Sequence, residues 1–355
     1  MLNSAIKKGL LISSVLAVLA VVVLLVFTVN VKTLEALSAI NYKFLAFSVV
    51  LMCLSLCFDV LRILVLTKAI SHIRLPFLYG VKIVLSFNFL SNITPSSAGG
   101  EPLLIYQISQ KGSPLGEASA IAFLRIIITM LFFAIGGPII ICFHRELLAD
   151  AGLKAAFDYV AVFLAATVVF FAYIFYASQS SKKFLNSVFG YFEKFPFSKI
   201  KFSRLKERIF KTVDDFKYGI RVFFSRRKWY LFLFVAYTAL MIATQFLVAQ
   251  TILKGLGYEA KTLNVFMIQT LLSLMLYFAP TPGGSGIAEG AGYALFAQFV
   301  PIHIVGAFLI IWKFLTTYVW TIVGGLVIAK SIGMKNLINI TGTHKAEKSN
   351  KLLPQ

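Results

Sequence analysis

Apolar and polar positions along this chain fall into long blocks, not the short alternations of a soluble domain. Predominantly apolar runs cover Leu10 to Phe27, Phe47 to Leu66 and Tyr230 to Leu253. Each is close to the ~18–20 residues that a helix needs to cross hydrocarbon. Extending the pattern along the chain predicts six full spans, near residues 9–29, 44–66, 118–142, 156–177, 230–253 and 303–328. The first is apolar for longer than the ~7–15 residues of a cleavable signal core, so it is expected to be retained.

Two further apolar stretches are interrupted midway. Residues 76–110 are broken by Thr94-Pro95-Ser96-Ser97-Ala98-Gly99-Gly100-Glu101-Pro102, and residues 263–299 by Ala279-Pro280-Thr281-Pro282-Gly283-Gly284-Ser285-Gly286 with Glu289 following. Proline removes a helix donor and glycine weakens helix, so neither stretch is expected to run through as one helix. Halves of about 10–18 residues suit re-entrant hairpins that enter and leave on one side. Two spans kinked at mid-depth are the alternative for each. The predicted fold class is an all-α polytopic membrane protein, with six full transmembrane helices plus two re-entrant helical hairpins. Composition agrees: 59% of residues are hydrophobic and 14% charged, too little polar surface for a soluble domain of 355 residues.

The two interruptions echo each other. Thr94-Pro95 precedes Gly99-Gly100-Glu101, and Thr281-Pro282 precedes Gly283-Gly284 with Glu289 beyond. Glu101 to Arg125 and Glu289 to Lys313 are both 24 positions, and each cation falls inside the next span. This predicts an inverted repeat. Its first unit is residues 1–143, with hairpin 76–110 facing the cytoplasm. Its second is residues 155–328, with hairpin 263–299 facing outward and a basic cytoplasmic loop at 178–228. Residues 329–355 form a cytoplasmic tail, disordered from Lys345 on. Inverted repeats built on broken helices are a signature of alternating-access carriers.

Charge fixes the expected orientation. The net charge is +20. With the N-terminus inside, the outer loops hold only Lys32, Lys43, Arg145, Lys154, Lys254 and Lys261, and the cytoplasmic segments hold most of the rest. Both termini are then cytoplasmic by the positive-inside rule, and the basic balance needs no nucleic acid to explain it. In the 178–228 loop, Phe184, Val188 and Phe192, and then Leu205, Ile209, Val213, Phe216, Ile220 and Phe223, recur at helical spacing among basic residues. Such helices are expected to lie on the anionic inner leaflet.

Chemistry narrows the function. Cys53, Cys57 and Cys142 lie in or at the end of apolar spans and are expected to be buried thiols, with no disulfide or zinc framework. The four histidines show no metal spacing, and no cofactor is expected. Enzyme signatures such as HExxH and GxSxG are missing, and the glycine-rich Gly283–Glu289 stretch lacks the Lys-Ser/Thr of a nucleotide loop. No enzymatic activity is expected.

The candidate site is the charge inside the spans, because ionisable groups in hydrocarbon mark function by default. Arg125 lies ~12 Å and Lys313 ~15 Å into the membrane at 1.5 Å per residue. Glu101 and Glu289 begin the second half-helices, where an acid complements the helix N-terminus. They are read as partners of Arg125 or Lys313, as carriers of a coupling proton, or as simple caps. The loops Ser96-Ser97-Ala98-Gly99-Gly100 and Gly283-Gly284-Ser285-Gly286 offer backbone N–H groups beside helix N-termini, which suit phosphate. Asn88, Asn92, Gln245 and Gln269 either line a polar path or bond across helices. Asp59 and Arg62, one turn apart near the inner end of the second span, read as a local ion pair.

These residues carry a family resemblance. Asn92-Ile93-Thr94-Pro95 with Gly99-Gly100-Glu101-Pro102, Arg125 at its offset, and Pro280 to Gly286 followed by Glu289 resemble the paired signatures of the lysylphosphatidylglycerol synthase transmembrane-region (flippase-like) family. The resemblance implies a plasma-membrane protein of a bacterium or archaeon, with two re-entrant elements around a lipid-headgroup cavity. In bifunctional members this domain precedes a soluble aminoacyltransferase domain and flips the aminoacylated lipid. No such domain is expected here, so synthase activity is not implied. Lys313 departs from the arginine frequent in the family, and Leu124 from the acid that often precedes the arginine. The function expected is a carrier for an anionic, phosphate-bearing lipid, either a phospholipid or a polyprenyl-phosphate glycan carrier. The alternative is a non-transporting membrane subunit that presents lipid to a separate enzyme. Arg125, Lys313, Glu101, Glu289, Asn92, Ser96, Ser97, Gly99, Gly100, Gly283, Gly284 and Ser285 are the expected substrate contacts. A lipid-modifying enzyme or a second copy of the chain is the protein partner such roles allow.

Overall fold

The computed structural model describes residues 37–143, 199–226, 228–277 and 279–331, with isolated positions at 35, 158, 162 and 165. The spans expected at 9–29 and 156–177, the loop before 199 and the tail beyond 331 lie outside the described residues. Those described form helices and turns with no strand. In order they are α1 (Tyr42–Ile70), α2 (Phe77–Ile93), α3 (Gly100–Ser109), α4 (Leu115–Phe143), α5 (Lys199–Arg226), α6 (Lys228–Gly255), α7 (Thr262–Tyr277), α8 (Ile287–Phe296) and α9 (Ile302–Ser331). Four of them, α1, α4, α6 and α9, are long and apolar enough to cross a membrane. The shorter α2 and α7 are apolar as well.

Both interrupted stretches break where the sequence predicts, and by the same backbone route. A residue before proline is driven to extended geometry, and Thr94 (φ −108°, ψ 144°) and Thr281 (φ −90°, ψ 152°) adopt it. Two consecutive left-handed residues then reverse the chain: Ser96 and Ser97 at φ 53° and 54°, Gly283 and Gly284 at φ 56° and 64°. Glycine takes this conformation freely, whereas serine does so at about 1–2 kcal/mol each. The Thr94 hydroxyl braces the first turn, donating to the Leu90 carbonyl (2.6 Å) and accepting from the Gly99 N–H (2.9 Å).

Two large apolar cores result, beside a smaller cluster of Phe133, Met241, Ile242, Phe246 and Leu274. One gathers Val60, Ile63, Leu66, Leu104 and Leu124 from the first part of the chain, and the other Ile252, Leu271, Leu295, Phe296 and Phe308 from the last part. Polar and close contacts join them. Helices α1 and α6 run antiparallel, with Ser48 and Thr251 hydroxyls 2.7 Å apart and Ser55 donating to the Met241 carbonyl. Helix α2 lies antiparallel to α9: Lys82 bonds Ser331, and Asn92 bonds Thr321. Between them, Gly324 lies so near the Leu85 carbonyl that a Cβ there would be 2.2 Å from it. Helix α7 packs on α4, with Gly136 against Thr270. Large apolar side chains such as Phe47, Leu131, Phe232 and Leu326 point outward, as lipid permits.

Two expectations need correction. Cys53 is exposed and Cys57 half-buried, so neither is a core thiol; a helix that packs on one face alone leaves the other toward lipid. The later part of the basic loop's apolar stripe also finds protein instead of membrane, while Phe184, Val188 and Phe192 lie outside the described residues. On α5, Phe216 meets Phe123 edge-on, and Ile220 and Phe223 are buried. Small residues permit this approach: Gly219 sits over Ile70 and Ala120, and Gly116 lies against the backbone of Thr212 and Phe216. Trp229, at the start of α6, stays exposed and stacks on Phe232, as expected of an interfacial aromatic.

A methyl group at Gly116 would lie 2.1 Å from the Thr212 carbonyl, whereas one at Gly290 meets nothing within 4 Å. Gly116→Ala is therefore expected to destabilise by about 1–3 kcal/mol, and Gly290→Ala to be neutral or stabilising by up to about 1 kcal/mol. Thermal unfolding of the purified variants checks this. Equal midpoints for the two would remove the docking of α5 on α4.

Candidate functional site

Arg125 projects from α4 into a cluster of four charges. Its Nη2 donates to Asp59 Oδ2 at 3.0 Å and its Nε to Asp59 Oδ1 at 3.4 Å. The same carboxylate takes Arg62 Nη2 at 2.9 Å. Arg62 Nη1 donates to the Thr129 hydroxyl, which donates in turn to the Arg125 carbonyl. The Phe87 ring lies 4.0 Å from the Arg125 guanidinium, close enough for a cation–π contact. Glu101 stands farther off, with Oε1 3.6 Å from Arg125 Nη1 and its buried Oε2 without a hydrogen-bond partner. Tyr277, the last residue of α7, lies within electrostatic reach of Arg62, Glu101 and Arg125.

The second cluster is smaller. Lys313 Nζ lies 3.5 Å from Glu289 Oε1 and donates to the Gly283 carbonyl at 3.0 Å. Glu289 Oε2 accepts the Gly286 N–H at 2.6 Å, so this acid both caps α8 and pairs with the cation. Just beyond Lys313, α9 widens into a π-helical turn over Phe314–Tyr318. Each cluster sums to zero formal charge: Asp59 and Glu101 against Arg62 and Arg125, and Glu289 against Lys313. That is the condition for keeping charge in a low dielectric.

The two breaks meet. A Cβ on Gly283 would lie 3.2 Å from the Asn92 carbonyl, so the turn of one broken helix rests on the other. Asn92 turns its amide to the Thr321 hydroxyl at 2.8 Å and so bonds across helices. Gly100 is the tight point of the first loop, since a Cβ there would lie 2.0 Å from Ser91 Oγ. Exposure differs sharply between the loops. Ser96, Ser97 and Ala98 are exposed, and the Glu101 side chain is 26% exposed. In the second loop Gly284 and Ser285 are buried, Gly283 is half-buried and Gly286 exposed, and the Glu289 and Lys313 side chains are only 7% and 4% exposed.

Most of the expected free backbone donors are engaged within the loops. The N–H groups of Ser97 and Gly99 go to Thr94, those of Gly284 and Ser285 to Thr281 and Pro282, and that of Gly286 to Glu289. Between the two cores lies a cavity of about 120 Å³, lined in part by Asp59, Asn88, Asn92, Gln245, Thr316 and Trp320. Among the described residues, no three His, Cys, Asp or Glu side chains converge as metal ligands.

Asp59 corrects the sequence analysis. It does form the local pair with Arg62, but it is also the principal partner of Arg125. Helix α1 runs on to Ile70 rather than ending near 66, which places Asp59 ~16 Å from the helix end instead of close to an interface. The signal was present: an acid inside a span falls under the same default as Arg125. Thr316 and Trp320 carried no such mark, because only the packing of α9 on α2 turns them toward the cavity. Gln269 is buried with its Nε2 unpartnered and does not line the cavity.

The sequence pattern described as lysylphosphatidylglycerol synthase TM region matches residues 10–324, a range that includes both broken helices and both charge clusters. A UPF0104 membrane protein of Archaeoglobus fulgidus is 27% identical over 270 residues, which is 72% of this chain and 76% of that protein. With four helices able to cross a bilayer among the described residues, this is a multi-pass membrane protein, and it belongs to the lysylphosphatidylglycerol synthase transmembrane-region family.

Proposed function

We propose that this protein carries an anionic, phosphate-bearing lipid between the leaflets of a bacterial or archaeal plasma membrane by alternating access, without chemistry on the lipid. The observation that carries the proposal is the contact of two broken helices, each with a neutralised buried cation, beside a polar cavity shared by both parts of the chain.

Arg125 is suited to exchange one anion for another. Asp59 holds its Nε and Nη2 edge, so the guanidinium keeps its position. Its Nη1 faces Glu101 across a gap too long for a hydrogen bond. A lipid phosphate entering by the exposed first loop would take that edge with charge-assisted bonds. Glu101, partly exposed, can swing out or accept a proton as the phosphate arrives, which keeps the buried charge low. Lys313 and Glu289 form the corresponding pair on the closed side. On this proposal residues 1–143 and 155–328 are inverted repeats. The order long helix, short helix, turn, short helix, long helix occurs in each, and α1 and α6 run antiparallel. With both termini cytoplasmic, the open first loop faces the cytoplasm and the buried second loop awaits the opposite state. A subunit that only presents lipid to an enzyme would need the first, open cluster alone.

Reconstituted protein is expected to speed equilibration of a labelled anionic lipid between liposome leaflets. Identical rates with and without protein, for phospholipids and polyprenyl phosphates alike, would transfer the case to the presenting subunit.

Accessibility gives an independent check. In a background lacking Cys53, Cys57 and Cys142, Ser96→Cys should react with a polar thiol reagent from the cytoplasmic side. Ser285→Cys should react more slowly, because Ser285 is 7% exposed, and only from outside. Label reaching Ser285→Cys solely from the cytoplasm rules out the inverted arrangement.

Hierarchy within the first cluster is testable by stability. Asp59→Asn leaves two buried guanidinium groups with only a distant carboxylate, and is expected to lower stability by about 3–5 kcal/mol. Glu101→Gln removes a partly exposed partner beyond hydrogen-bond range, and should change stability by less than about 1 kcal/mol while altering transport. Thermal unfolding in nanodiscs, read beside transport, separates the two. Equal losses from both substitutions would mean that Asp59 is not the anchor.

A further inference from the structure

The second break holds more oxygen than its one cation uses. Glu289 Oε2 caps α8, but Glu289 Oε1 is buried and accepts no hydrogen bond among the described residues, since Lys313 Nζ stops at 3.5 Å. Two more buried oxygens are equally unbonded: the hydroxyl of Thr281, in the same turn, and that of Tyr318, within electrostatic reach of Glu289. The turn does not force this. At the first break the Thr94 hydroxyl is satisfied twice, by the Leu90 carbonyl and by the N–H of Gly99, five positions on. The N–H five positions beyond Thr281 is that of Gly286, and Glu289 Oε2 takes it instead. Tyr318 is brought in by the π-helical turn Phe314–Tyr318. In an α-helix, residues five apart diverge by about 140°. The π register, seen in the bond from the Val319 N–H to the Phe314 carbonyl, turns Tyr318 back toward the side of Lys313. Buried polar atoms are seldom left unbonded, so three at one break, beside the Gly283 carbonyl, point to a ligand.

We propose that the second break binds an alkali cation of the sodium type, which replaces the Lys313 ammonium on Glu289 and the Gly283 carbonyl when Lys313 turns to a lipid phosphate. The exchange with lipid rests on the carrier function proposed above; the cation site rests on the oxygens alone. The ammonium itself marks the place, since its Nζ lies 3.0 Å from the Gly283 carbonyl and 3.5 Å from Glu289. Charge selects the class of ion. With Lys313 beside Glu289 the pair is neutral. Once Lys313 neutralises a phosphate, Glu289 is a lone buried anion, and one positive charge restores the balance. A divalent ion would leave one charge too many. A proton would neutralise Glu289 but make it a single O–H donor, with the remaining lone pairs unmet. An alkali cation takes several oxygens at once, and backbone carbonyls at broken helices are such ligands in carriers. Lys313 and the ion exclude each other on Glu289, so arrival of the ion frees Lys313 for the lipid, and lipid moves with the ion.

The site is tested apart from transport with full-length Lys313→Ala in nanodiscs, which removes the tethered cation. This variant should unfold several degrees higher in sodium chloride than in N-methylglucamine chloride at equal ionic strength, with a saturable dependence on sodium. The wild-type protein, whose own ammonium competes, should need more sodium for the same shift. Adding Glu289→Gln should abolish the shift, and adding Tyr318→Phe should raise the half-saturating concentration several-fold. Equal midpoints for Lys313→Ala in the two salts overturn the site. So does failure of that variant to fold in sodium, because the ion should stand in for the lost charge. Coupling is read with the wild-type protein in liposomes, where a sodium gradient at uniform pH should accumulate a labelled anionic phospholipid in one leaflet. Lipid that equilibrates but accumulates only under a pH gradient, or under neither gradient, overturns the coupling. A sodium-dependent midpoint without movement of any lipid keeps the cation site and removes the carrier.

Discussion

One carboxylate bridging two guanidinium groups is the interaction on which the first part of this membrane protein depends. Asp59 sits within a long apolar helix and holds Arg62 from its own turn and Arg125 from α4. Charge in hydrocarbon is tolerated only when neutralised and hydrogen-bonded. That requirement fixes the rotation of α1 against α4, because turning either helix by one residue would separate the pair. It also leaves Glu101 free of structural duty. With Asp59 opposing one arginine through the local pair and fixing the other through Nε and Nη2, the outer edge of Arg125 is the part of the cluster able to change partner. A neutral cluster with one loosely held member is therefore not at odds with anion binding. On the carrier proposal it is a resting state in which the protein's own carboxylate stands where a phosphate would go.

Close approach of backbones makes the arrangement possible. Lipid tails solvate apolar helices well, so association in a bilayer relies on tight packing and on polar contacts between helices. Gly324 against the Leu85 carbonyl, Gly100 against Ser91 and Gly283 against Asn92 are such contacts, and all lie where the broken helix α2 meets its neighbours. Tip-to-tip contact of the two breaks then follows. Each interruption ends a half-helix at depth, and each exposes backbone that must be satisfied. Most of it is satisfied locally, by Thr94 in the first loop and by Pro282, Thr281 and Glu289 in the second. What remains polar between them is the cavity lined by side chains of α1, α2, α6 and α9.

Much of this was legible in the sequence, because bilayers impose simple rules. Helix length, the Thr-Pro interruptions and the 24-position offset from acid to cation all reflect constraints acting over a few residues or one helix, and the described helices fall within a few residues of their expected ends. Asp59 was underread because its helix continues four residues past the predicted end, and depth in a span depends on both ends. Contacts between distant segments were beyond reach. Nothing local distinguishes an apolar stripe that meets lipid from one that meets another helix, so α5 was assigned to the leaflet and Cys53 to the core. Trp320 and Thr316 owe their place in the cavity to the packing of α9 on α2, which no propensity in the sequence announces.

The difference between the two clusters carries the argument furthest. The backbone turns are alike, yet the first uses serines where the second uses glycines, at a local strain that glycine would remove. Strain of this kind persists where surrounding structure holds it, and Ser96 and Ser97 are also the exposed members of the two turns. In the second turn Gly284 is buried and Gly283 half-buried, and Lys313 clasps it through the Gly283 carbonyl. An arginine with one free edge beside an exposed, strained turn and a lysine committed to a buried, relaxed one are not interchangeable halves. If the two clusters exchange exposure, release of the Gly283 carbonyl by Lys313 must accompany opening of the second side, because the same ammonium cannot hold the turn closed and receive a phosphate. A point charge with three rotatable donors makes that exchange more readily than a planar fork, which gives a physical reason for lysine at this position.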